Sequence, residues 1–384
     1  MGDIIPNVLM TTLAEVLDAM TIPGELYTAL PNGDARCFAC GHRCLIREGK
    51  RGICKVRFND GGKLQVPWGY VAALQCDPTE KKPFYHLLPG SDTLTFGMLG
   101  CDFHCSYCQN WVSSQALRDP ASERSAAYLR RIEPSAMVEY GLEMGARVVA
   151  SSYNEPLITS EWAVAVFKEA VKAGLKCAYV SNGNATPEVI EYLSPYLSGF
   201  KIDLKTMQDR NYRELGGVRQ HVLDSIKIAH EQGLWVEVVT LVVPGFNDST
   251  DELMEAARFI VSVSPDIPWH VTAFHKNYRM TDTENTTVDM LIRAAEIGQE
   301  AGLRYVYAGN LPGRVDPYED TFCPTCQESL IRRYGFVIQD YQLTGQGTCP
   351  NCGTAIPGIW PESTDEVRYG STADLFARRP RIVP

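Results

Sequence analysis

Apolar positions change their period along this chain. From about residue 93, short β-branched or apolar runs alternate with longer stretches whose apolar residues recur at helical spacing. Strands are expected over Thr93–Leu99, Arg147–Ser152, Leu175–Ser181, Gly199–Leu204, Leu234–Val243, Trp269–Phe274 and Arg304–Ala308. Between them, Pro134–Met144 places Met137, Tyr140 and Met144 on one helical face. Glu161–Ala173, with Thr159 or Ser160 as N-cap, Asp251–Val263 and Val288–Ala301 read as further helices. Strands alternating with helices imply an α/β fold with a parallel sheet and right-handed crossovers. About six such units predict a partial TIM-type (β/α)6 barrel, with a flat doubly wound sheet as the competing architecture. The flanks lack this alternation and carry cysteine groups. The expected division is therefore an N-terminal segment over 1–88, the barrel over 89–312 and a C-terminal domain over 313–384.

Composition narrows the class. The chain has 384 residues, 45% of them hydrophobic, enough for a sizeable core, and a net charge of −10. That charge argues against a nucleic-acid binder. No apolar run is long enough to span a membrane, and the first 20 residues lack the basic start and apolar core of a signal peptide. A cytoplasmic location is expected. In that reducing compartment, 13 cysteines point to metal rather than disulfides.

Eleven of the cysteines fall into three groups. Cys101, Cys105 and Cys108 have the spacing C-x3-C-x2-C. Three thiolates can hold three irons of a [4Fe–4S] cube and leave the fourth iron open, whereas clusters that only pass electrons usually have four protein thiolates. Cys37, Cys40, Cys44 and Cys54 form a four-thiolate set that suits either Zn²⁺ or an auxiliary iron–sulfur cluster. Cys323, Cys326, Cys349 and Cys352 form two C-x2-C knuckles, a zinc-ribbon pattern for which a rubredoxin-like iron site is the alternative. Cys177 sits in an apolar run and reads as a small buried hydrophobe; Cys76 stays unassigned.

Polar residues recur where the expected strands end, the rim that carries chemistry in such barrels. These ends hold Tyr153-Asn154-Glu155-Pro156, Ser181-Asn182-Gly183-Asn184, Asp203 with Lys205, Val243-Pro244-Gly245 and His275. Asp203 and Lys205 lie two apart, so their side chains share a face. His275 and Tyr278 are candidates for lining a substrate cavity.

The C-x3-C-x2-C loop, with the aromatic Tyr107 before its last cysteine, resembles the signature of the radical S-adenosylmethionine (SAM) superfamily. That resemblance implies an oxidoreductase in which a reduced [4Fe–4S] cluster on Cys101, Cys105 and Cys108 splits SAM, and the 5′-deoxyadenosyl radical abstracts hydrogen from a substrate. It implies SAM contacts from Tyr107, Asn154, Glu155, Ser181, Asn182, Asp203 and Lys205. Glu155 would face the methionyl ammonium and Lys205 the carboxylate. Tyr153-Asn154 replaces two glycines of the usual Gly-Gly-Glu-Pro-like motif. The N-terminal cysteines, Glu80-Lys81-Lys82-Pro83, Cys108-Gln109-Asn110 and Tyr305-Val306-Tyr307-Ala308-Gly309-Asn310 together resemble the AmmeMemoRadiSam-system enzymes, relatives of pyruvate formate-lyase activating enzyme. This implies a protein substrate, a ferredoxin- or flavodoxin-type electron donor, and Memo-like and AMMECR-type proteins as partners. A small-molecule or lipid substrate and a non-catalytic metal-binding scaffold are the alternatives.

Overall fold

The computed structural model describes residues 12–371 and the backbone of 381–382. Most of the stretch read as lacking a signal peptide, and the last part of the expected C-terminal domain, lie outside the described residues.

A strand over Ala73–Pro78 (β1) leads into seven more: Asp92–Gly97 (β2), Ala146–Ser151 (β3), Lys176–Ser181 (β4), Gly199–Asp203 (β5), Trp235–Val242 (β6), Trp269–Ala273 (β7) and Val306–Gly309 (β8). Each strand from β2 to β8 pairs in parallel with the next. β1 pairs antiparallel with β2, and Arg381–Ile382 pairs antiparallel with β1. The order never reverses, so there is no switch point of the kind a doubly wound sheet has. Among the described residues β8 forms one free edge and Arg381–Ile382 the other. The result is an α/β fold with an open parallel sheet, consistent with a partial barrel.

The α-helices of seven or more residues are Pro134–Glu143 (α1), Ser160–Lys172 (α2), Pro187–Leu193 (α3), Asp209–Leu215 (α4), Arg219–Glu231 (α5), Thr250–Val263 (α6) and Val288–Glu300 (α7). They fill the six connections from β2 to β8. Every residue of β2 is buried, as expected for a strand covered on both faces. α2 buries Trp162, Ala163, Val166, Phe167 and Ala170 against the sheet. The hydroxyl of Ser249 accepts from Glu252 N and caps α6, and that of Thr287 does the same for α7 from Met290 N. The N-cap of α2 is Thr159, but its side chain makes no capping bond; it donates to Pro156 O inside a 3₁₀ turn, Pro156–Thr159.

The periodicity reading omitted α3, α4 and α5. α3 and α4 have seven residues each, too short for a clear stripe. α5 buries Val222, Leu223, Ile226 and Ala229, a helical spacing diluted by six charged or histidine side chains.

Two small β units flank the barrel. The N-terminal unit has two three-stranded antiparallel sheets, one from Tyr27–Ala29, Ala35–Cys37 and Leu45–Ile46, the other from Thr21–Pro23, Lys63–Pro67 and Phe58–Asp60. Arg57, fully buried, joins it to α2 through two bonds to Glu161, 2.7 and 2.8 Å, and one to Ile158 O. The C-terminal unit is an antiparallel sheet of Thr321–Phe322, Ser329–Tyr334 and Val337–Tyr341. Its Leu330, Ile331 and Ile338 pack in one cluster with Tyr85, Tyr305 and Tyr307 of the barrel side.

Candidate active site

Parallel strands bring their C-terminal ends to one rim, so the loops after β2, β3, β4 and β5 meet there. The loop after β2 carries Cys101, Cys105 and Cys108. Phe103 N donates to Cys101 Sγ at 3.3 Å. The segment after β7 clasps this loop from above: Arg279 N and Met280 N both donate to Ser106 O, at 2.9 and 3.1 Å. Burial pushes the Cys105 thiol up to about 12 even though Lys205 pulls it down. A bound cation would favour its thiolate. The three Sγ atoms do not all lie within 4.8 Å of one another; among the described residues the C-terminal cysteines are the set that does. Three thiolates set apart in this way fit a cluster, in which each bonds a different iron, better than a single ion.

A cavity of about 450 Å³ opens at this rim beside Cys105, Tyr107 and Cys108. Its charged wall comes from β5 and its extension. Lys201, Asp203 and Lys205 alternate onto one face. Asp203 pairs with Lys201 on one oxygen and with Lys205 on the other, at 3.0 Å. Burial would raise the Asp203 carboxyl, but the two lysines hold it at about 2. Burial likewise opposes the charge on Lys205, and Asp203, Cys105 and Tyr107 keep it protonated. Lys201 was not singled out from the sequence, though the same alternation that paired 203 with 205 reaches it.

The residues expected around SAM separate into two sets. Tyr107, Asp203 and Lys205 line the cavity. Asn154, Glu155, Ser181 and Asn182 instead form a buried polar cluster beneath Cys101. Glu155 Oε1 accepts from Ser181 Oγ at 2.6 Å and from Leu157 N at 3.1 Å; Oε2 accepts from Asn182 N at 2.8 Å. Glu155 thus also caps the 3₁₀ turn that leads into α2. Burial and then the nearby Asp102 carboxylate push the Glu155 carboxyl up, so a neighbouring cation would be strongly favoured there. Asn154 is held by Met98 N, which donates to Oδ1, and by its own Nδ2, which donates to Glu155 O. Tyr153 has φ +70, so the Tyr-Asn pair replacing two glycines still takes the left-handed turn at its first position.

Asp102 joins this cluster and was missed in the sequence because it lies inside the cysteine motif. It is fully buried and accepts from Asn182 Nδ2 at 2.7 Å and Asn184 Nδ2 at 2.8 Å.

His275 and Tyr278 do not line the cavity, which corrects the sequence expectation. β7 ends at Ala273, and the chain then turns outward, leaving His275 exposed. Tyr278 stacks on Trp111 and donates from its hydroxyl to Asp119 Oδ2 at 2.6 Å. The inward residues of β7 are His270 and Thr272, two apart and both in the cavity wall. His270 Nε2 lies 2.6 Å from Glu237 Oε2 on β6. The hairpin of the C-terminal unit adds Phe336, and the segment between β1 and β2 adds Lys82, whose ammonium bonds Asp77 at 3.0 Å and lies 5.4 Å from the centre of the Tyr153 ring.

The C-terminal cysteines converge closely. Cys323 and Cys352 Sγ are 3.5 Å apart, and Cys326 and Cys349 are 3.6 Å apart. Four sulfurs at this spacing can hold one metal ion, since tetrahedral bonds of about 2.3 Å set sulfurs about 3.8 Å apart. Cys177 is buried and donates weakly to Phe167 O, as a packed thiol would. Among the described residues no helix is long and apolar enough to cross a membrane.

Comparison with known proteins bears on this site directly. Residues 96–260 match the family model described as the radical SAM superfamily, which spans the cysteine loop and strands β3 to β6. An uncharacterized protein of Methanocaldococcus jannaschii is 33% identical over 333 residues, covering 86% of this chain and 97% of that one. A pyruvate formate-lyase-activating enzyme of Staphylococcus aureus is 25% identical over 56% of this chain and 88% of its own length. An isethionate sulfite-lyase activating enzyme of Desulfovibrio desulfuricans is 24% identical over 45% of this chain and 57% of its own. A solved radical SAM methyltransferase of Sphaerobacter thermophilus aligns over 59% of this chain and 68% of that one, with TM-score 0.45 and 16% identity. With a third of the aligned residues shared along nearly the whole of one relative, and the family model seated on the strands that carry the three cysteines, this chain belongs to the radical SAM superfamily and is an enzyme of that type.

Proposed function

We propose that this enzyme reductively cleaves SAM at a [4Fe–4S] cluster held by Cys101, Cys105 and Cys108, and that it activates or modifies a protein. Bound there, the cluster supplies one electron to the sulfonium, and the radical released abstracts a hydrogen atom. The observation that carries this reading is the placement of three cysteines at the mouth of a cavity whose opposite wall holds Lys201, Asp203 and Lys205. Lys205 offers a fixed cation for a carboxylate, and Asp203 holds that ammonium in place. Glu155 and Asp102 are both buried, and a cation such as the methionyl ammonium beneath Cys101 would offset the burial and the Asp102 charge that push the Glu155 carboxyl up. Tyr107 packs edge-on against Phe246 and lines the cavity. His270, oriented by Glu237, and Phe336 stand ready to contact the substrate.

A protein substrate is favoured by the activating-enzyme relatives. The same relatives support a low-potential ferredoxin or flavodoxin as electron source. We assign the chain to the AmmeMemoRadiSam-system subgroup, with Memo-like and AMMECR-type proteins as partners, on the motif resemblances noted above. We read the divisions as 1–88, 89–312 and 313–384, and the C-terminal ion as zinc.

Anaerobic reconstitution with iron, sulfide, dithionite and SAM tests the chemistry. 5′-Deoxyadenosine is expected from the intact chain and none from Cys105→Ala. Product from that variant, or no product from an intact chain with its cluster confirmed by EPR, sinks the proposal. Incubation with candidate partner proteins should then give a protein radical signal or a mass change; turnover only with small molecules would favour the alternative substrate class.

A further inference from the structure

Cys37, Cys40, Cys44 and Cys54 lie against the active-site loop, not apart from it. Gly41 N donates to Asn184 O at 2.7 Å, and a Cβ on Gly41 would sit 2.4 Å from Asn184 Oδ1 and His221 Nδ1. A larger residue at 41 would have to displace the Asn184 and His221 side chains. A Cβ on Gly100 would likewise meet Val56 at 2.8 Å and Cys54 O at 3.2 Å. His42 Nε2, buried and without a hydrogen-bond partner among the described residues, is 4.0 Å from Asp102 Oδ2. Asp102 is the chain neighbour of Cys101 and hydrogen-bonds Asn182 and Asn184, so it stands between the two cysteine groups.

The four cysteines converge: Cys37 N donates to Cys44 O at 3.0 Å, and Ile53 N, next to Cys54, donates to Cys44 Sγ at 3.5 Å. Yet no three of these sulfurs lie within 4.8 Å of one another. The C-terminal four do, at the spacing a single tetrahedral ion needs. The N-terminal four therefore share the wider setting of Cys101, Cys105 and Cys108. Thiolates that converge on one volume while staying apart suit a cubane, in which each bonds its own iron.

We propose that Cys37, Cys40, Cys44 and Cys54 bind a second [4Fe–4S] cluster, complete in protein ligands, which relays electrons to the active-site cluster. One electron enters from a low-potential one-electron donor of ferredoxin or flavodoxin type and leaves for the cluster at Cys101, Cys105 and Cys108; no bond forms or breaks. Leu45 and Ile53, exposed beside Cys44 and Cys54, give the donor an apolar face. The relay half rests on the function proposed above; the binding half does not.

The deciding measurement is labile sulfide, which neither zinc nor a lone iron brings. In Cys101→Ala/Cys105→Ala/Cys108→Ala, about four irons and four sulfides per chain should remain, with a dithionite-reducible EPR signal. No sulfide in that variant, with zinc filling the N-terminal site, overturns the proposal. Should the variant fold poorly, the intact chain decides: about eight sulfides supports the second cluster, and about four overturns it. Equal sulfide in the intact chain and the triple variant would instead count against the proposed active-site cluster. For the relay, Cys40→Ala/Cys44→Ala should lower flavodoxin-driven 5′-deoxyadenosine formation at least about tenfold more than dithionite-driven formation. An equal fall in both overturns the relay.

Discussion

The N-terminal and C-terminal cysteine groups each offer four thiols, yet they are built differently. In the C-terminal unit the sulfurs close on one point, and the sheet around them is small. In the N-terminal unit they stay apart, and the unit is fixed to the barrel by a buried ion pair, Arg57 with Glu161, and by glycine approaches to the active-site loop. One group organises its own unit; the other is organised by what it leans on. Ligand count alone does not distinguish these two uses of cysteine. Spacing and attachment do.

The largest effect that would break this comparison should come from the C-terminal cysteines. Cys349→Ala should leave 321–356 without its organising centre, since a metal held by four such cysteines would contribute on the order of 10 kcal/mol. Hydrogen exchange is expected to show that segment unprotected while β2 to β7 stay protected. Full protection in the variant would mean that the contacts with Tyr85, Tyr305 and Tyr307 hold the unit without metal.

Next is the N-terminal anchor. Glu161→Gln leaves the Arg57 guanidinium buried without its counter-charge and weakens the acceptor of Glu25 N and Leu26 N. A cost of about 3–5 kcal/mol is expected. Limited proteolysis should cut before residue 72 first, with the C-terminal unit intact. Equal susceptibility of both units would erase the contrast.

The C-terminal unit has its own pH-sensitive attachment. His86 lies 2.7 Å from Pro357 O and 2.7 Å from the Tyr307 hydroxyl, and its backbone oxygen accepts from Ile359 N. Burial depresses its imidazole from 6.5 to about 4. The folded state prefers neutral His86, so the stabilisation is complete above about pH 6.5 and is lost as the pH falls towards 4. The whole range amounts to about 3 kcal/mol. Denaturant titrations of the intact chain and His86→Gln should show a smaller acid-side loss in the variant. Parallel curves would remove His86 from the account.

The smallest effect should come from Arg43 and Glu188, a bidentate pair at 2.6 and 2.8 Å that also joins the N-terminal unit to the barrel, through α3. Both side chains are nearly half exposed, so Glu188→Gln should cost under about 1 kcal/mol, less still at high salt. A loss comparable to that of Glu161→Gln would shift the anchor from the buried pair to the surface.

Much of the barrel was legible because its strands are short β-branched runs and four of its helices carry clear stripes. α3 and α4 escaped because seven residues hold too little periodicity, and α5 because charge dilutes its buried face. Within the site, Asp203 and Lys205 were legible from strand alternation, and the same rule would have given Lys201 and His270. His275 was misplaced because the sequence does not mark where β7 stops and the chain turns outward. Phe336 had no local signal at all, since a hairpin more than two hundred residues from the cysteine loop brings it to the cavity.

The sequence by itself determined how many thiolates each group offers, because ligand count and loop length are local properties of the chain. From that count came the expectation of a three-ligand cluster with one iron left open. Only the tertiary structure decided how far apart the sulfurs stand, which residues face the cavity, and that Cys37, Cys40, Cys44 and Cys54 rest against Asp102. The last two join segments from about 50 to more than 200 residues apart, and the first depends on how each loop folds; packing fixes them, not spacing.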